Sequence, residues 1–278
     1  MNMHKYRGFI FLSLNIYFFV CFFIQHFKIW YPQESLIVKK NDGAFESQDS
    51  RQIHMFDLMH HITYNIASAE THTPEREKFD IDNWKDRRGT GGLHDSDRIL
   101  VGELYYNATS VFEFGLGEST EIAAYVSVPR YSGVDSNARW VEEVRTSSNM
   151  DHFRFSFADI GSTVEWGKPS NASLQKIPYN YQVAPLANEM EAFDFYMIDG
   201  RYRVGCACAS FLHAMKTRGD VTKVKVGLHD YHREHYWQLD SIAHVVHRSK
   251  RLSVLKLKQS TTEEDIKILW ESNMWDIR

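Results

Sequence analysis

The chain is poor in cysteine, the residue that defines disulfide-stabilised proteins. Only 3 of its 278 residues are cysteine, which excludes a disulfide framework. Cys206 and Cys208 lie too close along one element to bridge easily, and Cys21 lies in an apolar stretch. All three are therefore predicted to be small buried hydrophobic residues. The sequence also contains no internal repeat and no low-complexity tract.

An excess of positive charge is also absent. Lys and Arg number 32 against 36 Asp and Glu, a net charge of -4. A general nucleic-acid-binding protein needs a basic footprint, so no nucleic-acid partner is expected. Hydrophobic residues at 43% and charged residues at 24% are ordinary for a globular protein and exclude a mostly disordered chain.

The N-terminal segment contains no Asp, Glu, Lys or Arg between Arg7 and Lys28. Twenty helical residues span about 30 Å, the hydrocarbon thickness of a bilayer. We predict a tail over residues 1–8, a transmembrane signal anchor over 9–27, and a stem with one helix over 28–92. A cleaved signal peptide is the alternative, although its apolar core is usually only ~7–15 residues long.

The orientation of this anchor does not follow from charge, because Lys and Arg are almost balanced on its two sides. Two glycosylation sequons begin at Asn107 and Asn171. Glycosylation of either would place the bulk of the chain in the lumen. We therefore expect a single-pass membrane protein of the endoplasmic reticulum or Golgi with a lumenal C-terminal domain.

From residue 93 onward, β-rich runs alternate with stretches of helical spacing. The predicted strands are Ser110–Phe114, Tyr131–Val134, Phe153–Phe157, Phe193–Ile198, Lys223–Leu228 and Leu252–Leu257. The predicted helices are Ser119–Val126, Ala138–Thr146, Val204–Lys216 and Glu234–His247. This alternation predicts an α/β domain over 93–278, with a Rossmann-like, doubly wound, mostly parallel sheet and helices on both faces.

Three further segments have their own predictions. Helical spacing indicates a helix over residues 51–69, and the charged stretch over 70–92 is predicted to be a loop. The long connection over 160–192 is weakly periodic, and loops of this length inside a compact domain are usually functional or disordered. Thr261–Arg278 is predicted to form a capped C-terminal helix.

The first core strand ends in a glycine turn. Gly115 and Gly117 allow a tight bend and a close approach to a ligand, and the next helix begins there with free N–H groups. Asp135 closes the second strand, 22 residues after Glu113, where an acid accepts hydrogen bonds from ribose hydroxyls. The pattern predicts an adenosine-containing cofactor. The alternative is that both glycines only make a tight turn.

Two sequence features indicate which nucleoside cofactor this is: the residue at position 120 and the motif that begins at Glu113. Thr120 stands where a dinucleotide-binding loop has its third glycine, which disfavours a nicotinamide-dependent oxidoreductase. The run Glu-Phe-Gly-Leu-Gly from Glu113 resembles the first motif of class I S-adenosylmethionine-dependent methyltransferases. The resemblance implies five cofactor-binding residues: Glu113, Gly115 and Gly117 as loop residues, Asp135 at the ribose and Asp159 beside the adenine.

Three later stretches extend the resemblance. They begin at Asp159 (DIGSTVEWGKP), at Ile198 (IDGRYRV) and at His229 (HDY). They resemble a largely uncharacterised group of methyltransferase-like Rossmann proteins, which carry DIGxTxEWGxP, IDGR(F/Y)RV and DDY-like stretches in this order. The similarity covers roughly residues 93–258 and implies a methyltransferase-like fold.

Asp199 and Asp230 each follow a predicted strand, at the edge where open α/β sheets bind ligands. Two carboxylates there suit a divalent cation such as Mg²⁺, which would acidify a substrate hydroxyl. The layout resembles metal-dependent O-methyltransferases, except that His229 replaces the first acid of an Asp-Asp pair. His229 is then a metal ligand or a general base. The alternative is that Asp199 caps a turn and pairs with Arg201 or Arg203.

The predicted catalytic residues are therefore His229, Asp199 and Asp230. Four further residues are predicted to contact the substrate: Arg201, Arg203 and Arg233 through forked hydrogen bonds, and Trp166 as a wall or lid. The alternatives are that Arg233 is a surface charge at a helix start and that Trp166 anchors the core. The expected activity is O-methylation of a glycan or small metabolite. The alternative is a non-catalytic methyltransferase-like binding protein held at a membrane, which a pair between Asp199 and Arg203 in a collapsed cleft would favour.

Overall fold

The computed structural model describes five ranges of the chain: 76–88, 92–164, 167–170, 178–217 and 221–278. All of them belong to one structural unit, Thr71–Arg278. Among these described ranges, no helix combines the length and apolarity that crossing a membrane requires. The predicted anchor over 9–27 and the predicted helix over 51–69 lie outside the described residues.

The core of this unit is a sheet with the strand order β3-β2-β1-β4-β5-β7-β6. Its strands are β1 (Ser110–Phe114), β2 (Arg130–Asp135), β3 (Arg154–Phe157), β4 (Phe195–Ile198), β5 (Lys225–Leu228), β6 (Ala243–Arg248) and β7 (Ser253–Leu257). The first five pair in parallel, and β7 runs antiparallel between β5 and β6. The predicted mostly parallel sheet is confirmed.

Helices cover both faces of the sheet. They are α1 (Ile81–Arg88), α2 (Asp95–Asn107), α3 (Glu118–Tyr125), α4 (Ala138–Ser148), α5 (Tyr179–Gln182), α6 (Ala184–Ala187), α7 (Arg203–Thr217) and α8 (Glu263–Asn273). Side chains of a strand alternate between the two faces. Val111 accordingly packs into one core with α2 and α3, whereas Phe112 and Phe114 pack into the other with α7. Every residue of β1 and β4 is buried, as expected of a sheet covered on both sides.

The C-terminal helix begins as predicted. Thr262 accepts a hydrogen bond from the backbone N–H of Asp265, whose carboxylate accepts one in return from the N–H of Thr262. This reciprocal pair caps the start of α8. Further along, Trp270 Nε1 donates to Gln182 Oε1 and Gln182 Nε2 donates to the carbonyl of Met274, both at 2.7 Å. The buried Gln182 therefore fastens α5 to α8.

Three local predictions were wrong, and one helix was not predicted. The helix predicted over Glu234–His247 is a 3-10 helix, Glu234–Ser241, followed by β6. Pairing with β7 decides the outcome there, because short apolar runs do not by themselves separate helix from strand. The predicted loop over 70–92 contains α1, whose Trp84 is buried. Helix α2 was not predicted, and α5 and α6 interrupt the loop predicted over 160–192.

Candidate active site

The bend after β1 touches the end of β4 backbone to backbone. Gly115 has a φ of +90°, and a Cβ on it would lie 2.4 Å from the N and Cα atoms of Gly200. The N–H groups of Asp199 and Gly200 both donate to the carbonyl of Phe114, at 2.9 and 2.8 Å. Only glycine combines this positive φ with so close an approach. The bend and Asp199 are thus held side by side.

The outer side of the bend is open. A Cβ on Gly117 would meet no atom within 4 Å. Asp135, the last residue of β2, directs its carboxylate to the same bend: Leu116 N donates to Oδ2 at 3.1 Å, and Asn137 N donates to Oδ1 at 3.0 Å. Burial raises the pKa of Asp135, although backbone N–H groups act to lower it. Each carboxylate oxygen retains a lone pair that can accept a ligand hydroxyl.

Glu113 lies inside β1 rather than in the bend, so its predicted place in a ligand-binding loop is wrong. Its side chain is 0% exposed and accepts hydrogen bonds from Ser119, Thr120 and Tyr131. Thr120 Oγ1 in turn accepts from Gly117 N at 3.0 Å. Burial raises the pKa of Glu113 to about 7 against the effect of these hydrogen bonds. Glu113 therefore positions the start of α3 beneath the bend.

The segment after β3 folds back toward the end of β2. Asp159 accepts a hydrogen bond from Gly161 N at 2.9 Å. A Cβ on Gly167, which has a φ of +67°, would lie 2.9 Å from Oγ of Ser136, the residue that follows β2. Asp159 and Asp135 thus belong to neighbouring segments, and contact of Asp159 with an adenine stays a prediction. Trp166 lies outside the described residues.

Arg203 is a buried link between the ends of β4 and β5. Its guanidinium lies 3.0 Å from Asp199 Oδ1 and 3.2 Å from Asp230 Oδ2. It also donates to the carbonyl oxygens of Asp199, Gly200 and His229. The predicted contact of Arg203 with substrate is wrong, because protein groups already occupy its donors. The alternative pairing of Asp199 with Arg203 is confirmed.

The divalent cation predicted at Asp199 and Asp230 does not fit this arrangement. The two carboxylates face the guanidinium of Arg203, and a cation would have to displace it. Hard cations such as Mg²⁺ also need several oxygen ligands. Within the described ranges, no group of three or more His, Cys, Asp or Glu side chains is arranged to hold a metal ion.

The two other arginines predicted to contact substrate are more accessible. Arg233 is about half exposed and pairs with Asp230 Oδ2 at 2.7 Å. Arg201 is partly exposed, and among the described residues its Nε has no hydrogen-bond partner. Burial and the charge of Arg203 lower the pKa of Arg201. Contact of either arginine with substrate stays a prediction.

His229 lies at the end of β5 and is only 5% exposed. Its Nδ1 lies 3.0 Å from Asp199 Oδ1 and its Nε2 lies 3.8 Å from Asp97 Oδ2. Both ring nitrogens face protein carboxylates. The predicted role of His229 as a general base in direct contact with the substrate is therefore wrong. Burial acts to lower the pKa of His229, but the hydrogen bond to Asp199 and the charges of Asp199 and Asp230 raise it overall.

Asp97, in the first turn of α2, is the residue that sequence reasoning missed. In the sequence it is one of two acids, with Asp95, at a helix start, where acids commonly complement the helix dipole. Its side chain is instead 0% exposed. Asp97 lies 132 residues before His229 in the sequence. No local sequence pattern therefore connects the two residues, and only the fold brings them together.

Comparisons with known proteins bear on the fold. No protein-family model and no curated protein matches the chain. A solved methyltransferase-like protein from Silicibacter pomeroyi DSS-3 is similar with a TM-score of 0.58 and 21% identity, over 67% of this chain and 97% of that one. This similarity shows that the chain has a Rossmann-like methyltransferase fold.

Two solved enzymes are similar at lower scores. The O-methyltransferase from Bacillus cereus in complex with S-adenosylhomocysteine has a TM-score of 0.38 and 14% identity, over 70% of this chain and 97% of that one. The N-methyltransferase NodS from Bradyrhizobium japonicum WM9, also in complex with S-adenosylhomocysteine, has a TM-score of 0.39 and 13% identity, over 62% and 91%.

Proposed function

We propose that the chain is an S-adenosylmethionine-dependent methyltransferase that acts on an oxygen of a small metabolite or glycan. The observation that carries the proposal is the carboxylate of Asp135 bound to the N–H of Leu116, beside the open outer side of Gly117. An acid at the end of the second strand and a glycine bend after the first are the two groups that hold a nucleoside in such sheets. The fold agrees with this assignment.

The residues of the chain divide the work between binding and proton transfer. Asp135 binds the ribose hydroxyls, and the glycine bend lets the amino-acid part approach the backbone closely. When bound, S-adenosylmethionine supplies a sulfonium methyl group for attack by an oxygen aligned with it. Asp199 adjoins the bend with its side chain 29% exposed. Its Oδ1 is held by Arg203 and His229, so its Oδ2 takes the acceptor proton.

Calorimetry on the full-length protein with S-adenosylmethionine and S-adenosylhomocysteine tests the cofactor. Asp135→Ala is expected to weaken both affinities roughly tenfold or more, because it removes hydrogen bonds to a charged group. The matched control is Asp151→Ala, in an exposed turn before β3 and hence at the opposite edge of the sheet. Its affinities are expected to equal those of the wild type. Equal affinities for Asp135→Ala would refute the assignment.

A thermal-shift screen separates the cofactor classes. A ligand that binds only the folded protein raises its melting temperature by mass action. We expect stabilisation by S-adenosylmethionine and S-adenosylhomocysteine, and none by NAD or Mg²⁺. Stabilisation by NAD alone would contradict the proposal.

A second function, a methyltransferase-like binding protein without turnover, is favoured by one observation. Arg203 pairs with Asp199 at 3.0 Å, which holds the proposed proton acceptor in an ion pair. The two functions differ in product. Binding of S-adenosylmethionine without release of S-adenosylhomocysteine, across a panel of glycan and hydroxylated small-molecule acceptors, would support the second function.

The proposed location rests on the sequence. A membrane anchor over 9–27 and a lumenal domain are supported by the uncharged N-terminal segment and the sequons. Asn107 is exposed at the end of α2, and it precedes β1, so it lies at the edge opposite Asp135. Asn171 lies outside the described residues. Failure of the full-length protein to sediment with membranes after an alkaline wash would refute the anchor.

A further inference from the structure

Two buried polar atoms face each other behind the active-site edge without a hydrogen bond. Asp97 Oδ2 and His229 Nε2 lie 3.8 Å apart, and among the described residues neither has a hydrogen-bond partner. A buried acceptor without a partner carries a desolvation cost. A separation of 3.8 Å is too long for a direct hydrogen bond but short enough for an ion pair. A proton on Nε2 would therefore place a positive charge beside the buried carboxylate of Asp97.

Asp97 is held firmly in place for this contact. Its Oδ1 accepts hydrogen bonds from the backbone N–H groups of Arg251 and Leu252, at 2.9 and 3.2 Å, and from the hydroxyl of Ser249. These three donors belong to the turn between β6 and β7. Asp97 cannot turn away from His229 without breaking its bonds to this turn.

The charged groups around His229 alternate in sign when the ring is protonated. The row runs from Asp97 of α2 through His229 to Asp199 at the end of β4, then to Arg203 of α7 and Asp230 at the end of β5. Asp230 Oδ1 also lies 3.8 Å from His229 Nδ1. Arg233 also pairs with Asp230, so three acids face three cations when the ring is protonated. A neutral ring would leave this group with one negative charge in excess. The raised pKa of His229 agrees with this arrangement.

We propose that Asp97 is a positioning residue for methyl transfer, which holds His229 as an imidazolium that in turn fixes Oδ1 of Asp199. This rests on the proposed function. Asp199 Oδ2 then faces the acceptor hydroxyl and receives its proton. The acceptor oxygen forms the new bond to the methyl carbon, and the electron pair of the broken sulfur–carbon bond stays on sulfur. His229 keeps its proton throughout, and Asp97 touches no substrate.

The test is an NMR titration of the imidazole nitrogens of the full-length protein, with the His229 resonance assigned by His229→Gln. In the wild type we expect both nitrogens of His229 to be protonated up to a titration midpoint that lies above the ordinary pKa of about 6.5. This measurement needs no variant of Asp97. A midpoint at or below the ordinary value would overturn the proposal.

The variant Asp97→Asn separates the charge of Asp97 from its structural bonds. Its amide oxygen keeps the bonds to the turn, and its NH₂ group donates to Nε2 of a neutral ring. We expect the midpoint of the His229 titration to move down by roughly one pH unit or more. The melting temperature and the affinity for S-adenosylhomocysteine should be unchanged. The control Asp95→Asn changes an exposed acid of the same helix turn and should leave His229 unchanged. An unshifted titration in Asp97→Asn would refute the role of Asp97.

Activity gives a third readout once the acceptor panel yields a substrate. Asp97→Asn is expected to lower kcat at least tenfold and to leave KM for S-adenosylmethionine unchanged, because it removes the positive charge of His229 beside Asp199 but does not alter the bend. An unchanged kcat would refute the link to catalysis. If the wild type binds no S-adenosylhomocysteine, the proposed function fails, and the titration still decides whether Asp97 holds the proton on His229.

Discussion

At the level of single residues, Glu113 shows how a buried carboxyl group can orient a bend of which it is not itself a part. Its carboxylate accepts hydrogen bonds from the hydroxyls of Ser119, Thr120 and Tyr131. The hydroxyl oxygen of Thr120 in turn accepts a hydrogen bond from the N–H of Gly117. The orientation of the bend thus depends on a buried acid below it. Because burial raises the pKa of Glu113 to about 7, its charge state changes within the ordinary range of pH.

Glu113→Gln is expected to remove a specific pH dependence of stability. The unfolded carboxyl ionises near pH 4.5 and the folded one near 7, so between these values the unfolded state binds fewer protons. Stability from this group is therefore full below pH 4.5 and is lost as the pH rises to 7. Urea unfolding measures this effect. Between pH 4.5 and 8, the unfolding free energy of the variant should rise relative to that of the wild type by on the order of 3 kcal/mol.

The control for this titration is Glu103→Gln, which changes an exposed acid on α2. Its unfolding free energy should run parallel to that of the wild type at every pH. A constant offset between Glu113→Gln and the wild type across this range would show that Glu113 stays ionised in the folded protein.

The residues that could be predicted from the sequence are those with a local pattern. Gly115, Gly117 and Asp135 follow a spacing that the strand–turn–helix arrangement imposes, and the structure brings all three to one edge. Arg203 was misread because its sequence neighbours do not reveal that two carboxylates and three carbonyls surround it. Asp97 was missed because its partner is distant in sequence.

At the level of elements, the bend between β1 and α3 has one closed side and one open side. Gly115 faces the backbone of Gly200, whereas Gly117 faces open space. The two glycines are two residues apart and chemically identical, so the same substitution at each separates folding from binding.

Gly115→Ala is expected to lower the free energy of unfolding by at least about 2 kcal/mol, through strain at positive φ and a clash with backbone. Gly117→Ala is expected to change stability by less than about 0.5 kcal/mol and to weaken S-adenosylhomocysteine binding roughly tenfold or more. Denaturant unfolding and calorimetry on both variants check this. Unimpaired binding by Gly117→Ala would mean that the open side is not the ligand side.

The elements that were predicted correctly have strong periodicity and flanking turn residues, as in β1, α4 and α8. The errors fall where distant contacts decide. Strand β6 forms because β7 pairs with it, and α1 forms where Trp84 packs against Phe79 and Tyr125. Neither contact is visible in a local window of sequence.

At the level of the whole molecule, one buried amide joins distant parts of the chain. Gln182 bonds Trp270 and the carbonyl of Met274, which lie 88 and 92 residues away. It also packs against Gly205 of α7, where a Cβ would lie 2.4 Å from its Oε1. The middle of the chain, α7 and the C-terminal helix therefore meet at one side chain.

Gln182→Ala is expected to destabilise the protein by roughly 2–4 kcal/mol, because it leaves the Trp270 N–H and the Met274 carbonyl without partners. Gln238→Ala is the matched control, since the side-chain amide of Gln238 donates to the nearby carbonyl of His235. This variant should change stability by less than about 1 kcal/mol. Thermal and urea unfolding measure both. Equal losses in the two variants would show that the Gln182 bonds add no stability.

The contact between Gly115 and Gly200 has a mechanical consequence. No side chain separates the two glycine backbones there, and the hydroxyl of Tyr181 also lies against Gly200. If a bound molecule displaced the bend, the backbone at Asp199 would have to move with it. Under the proposed function, the sites for methyl donor and methyl acceptor would then sense each other's occupancy through this direct backbone contact.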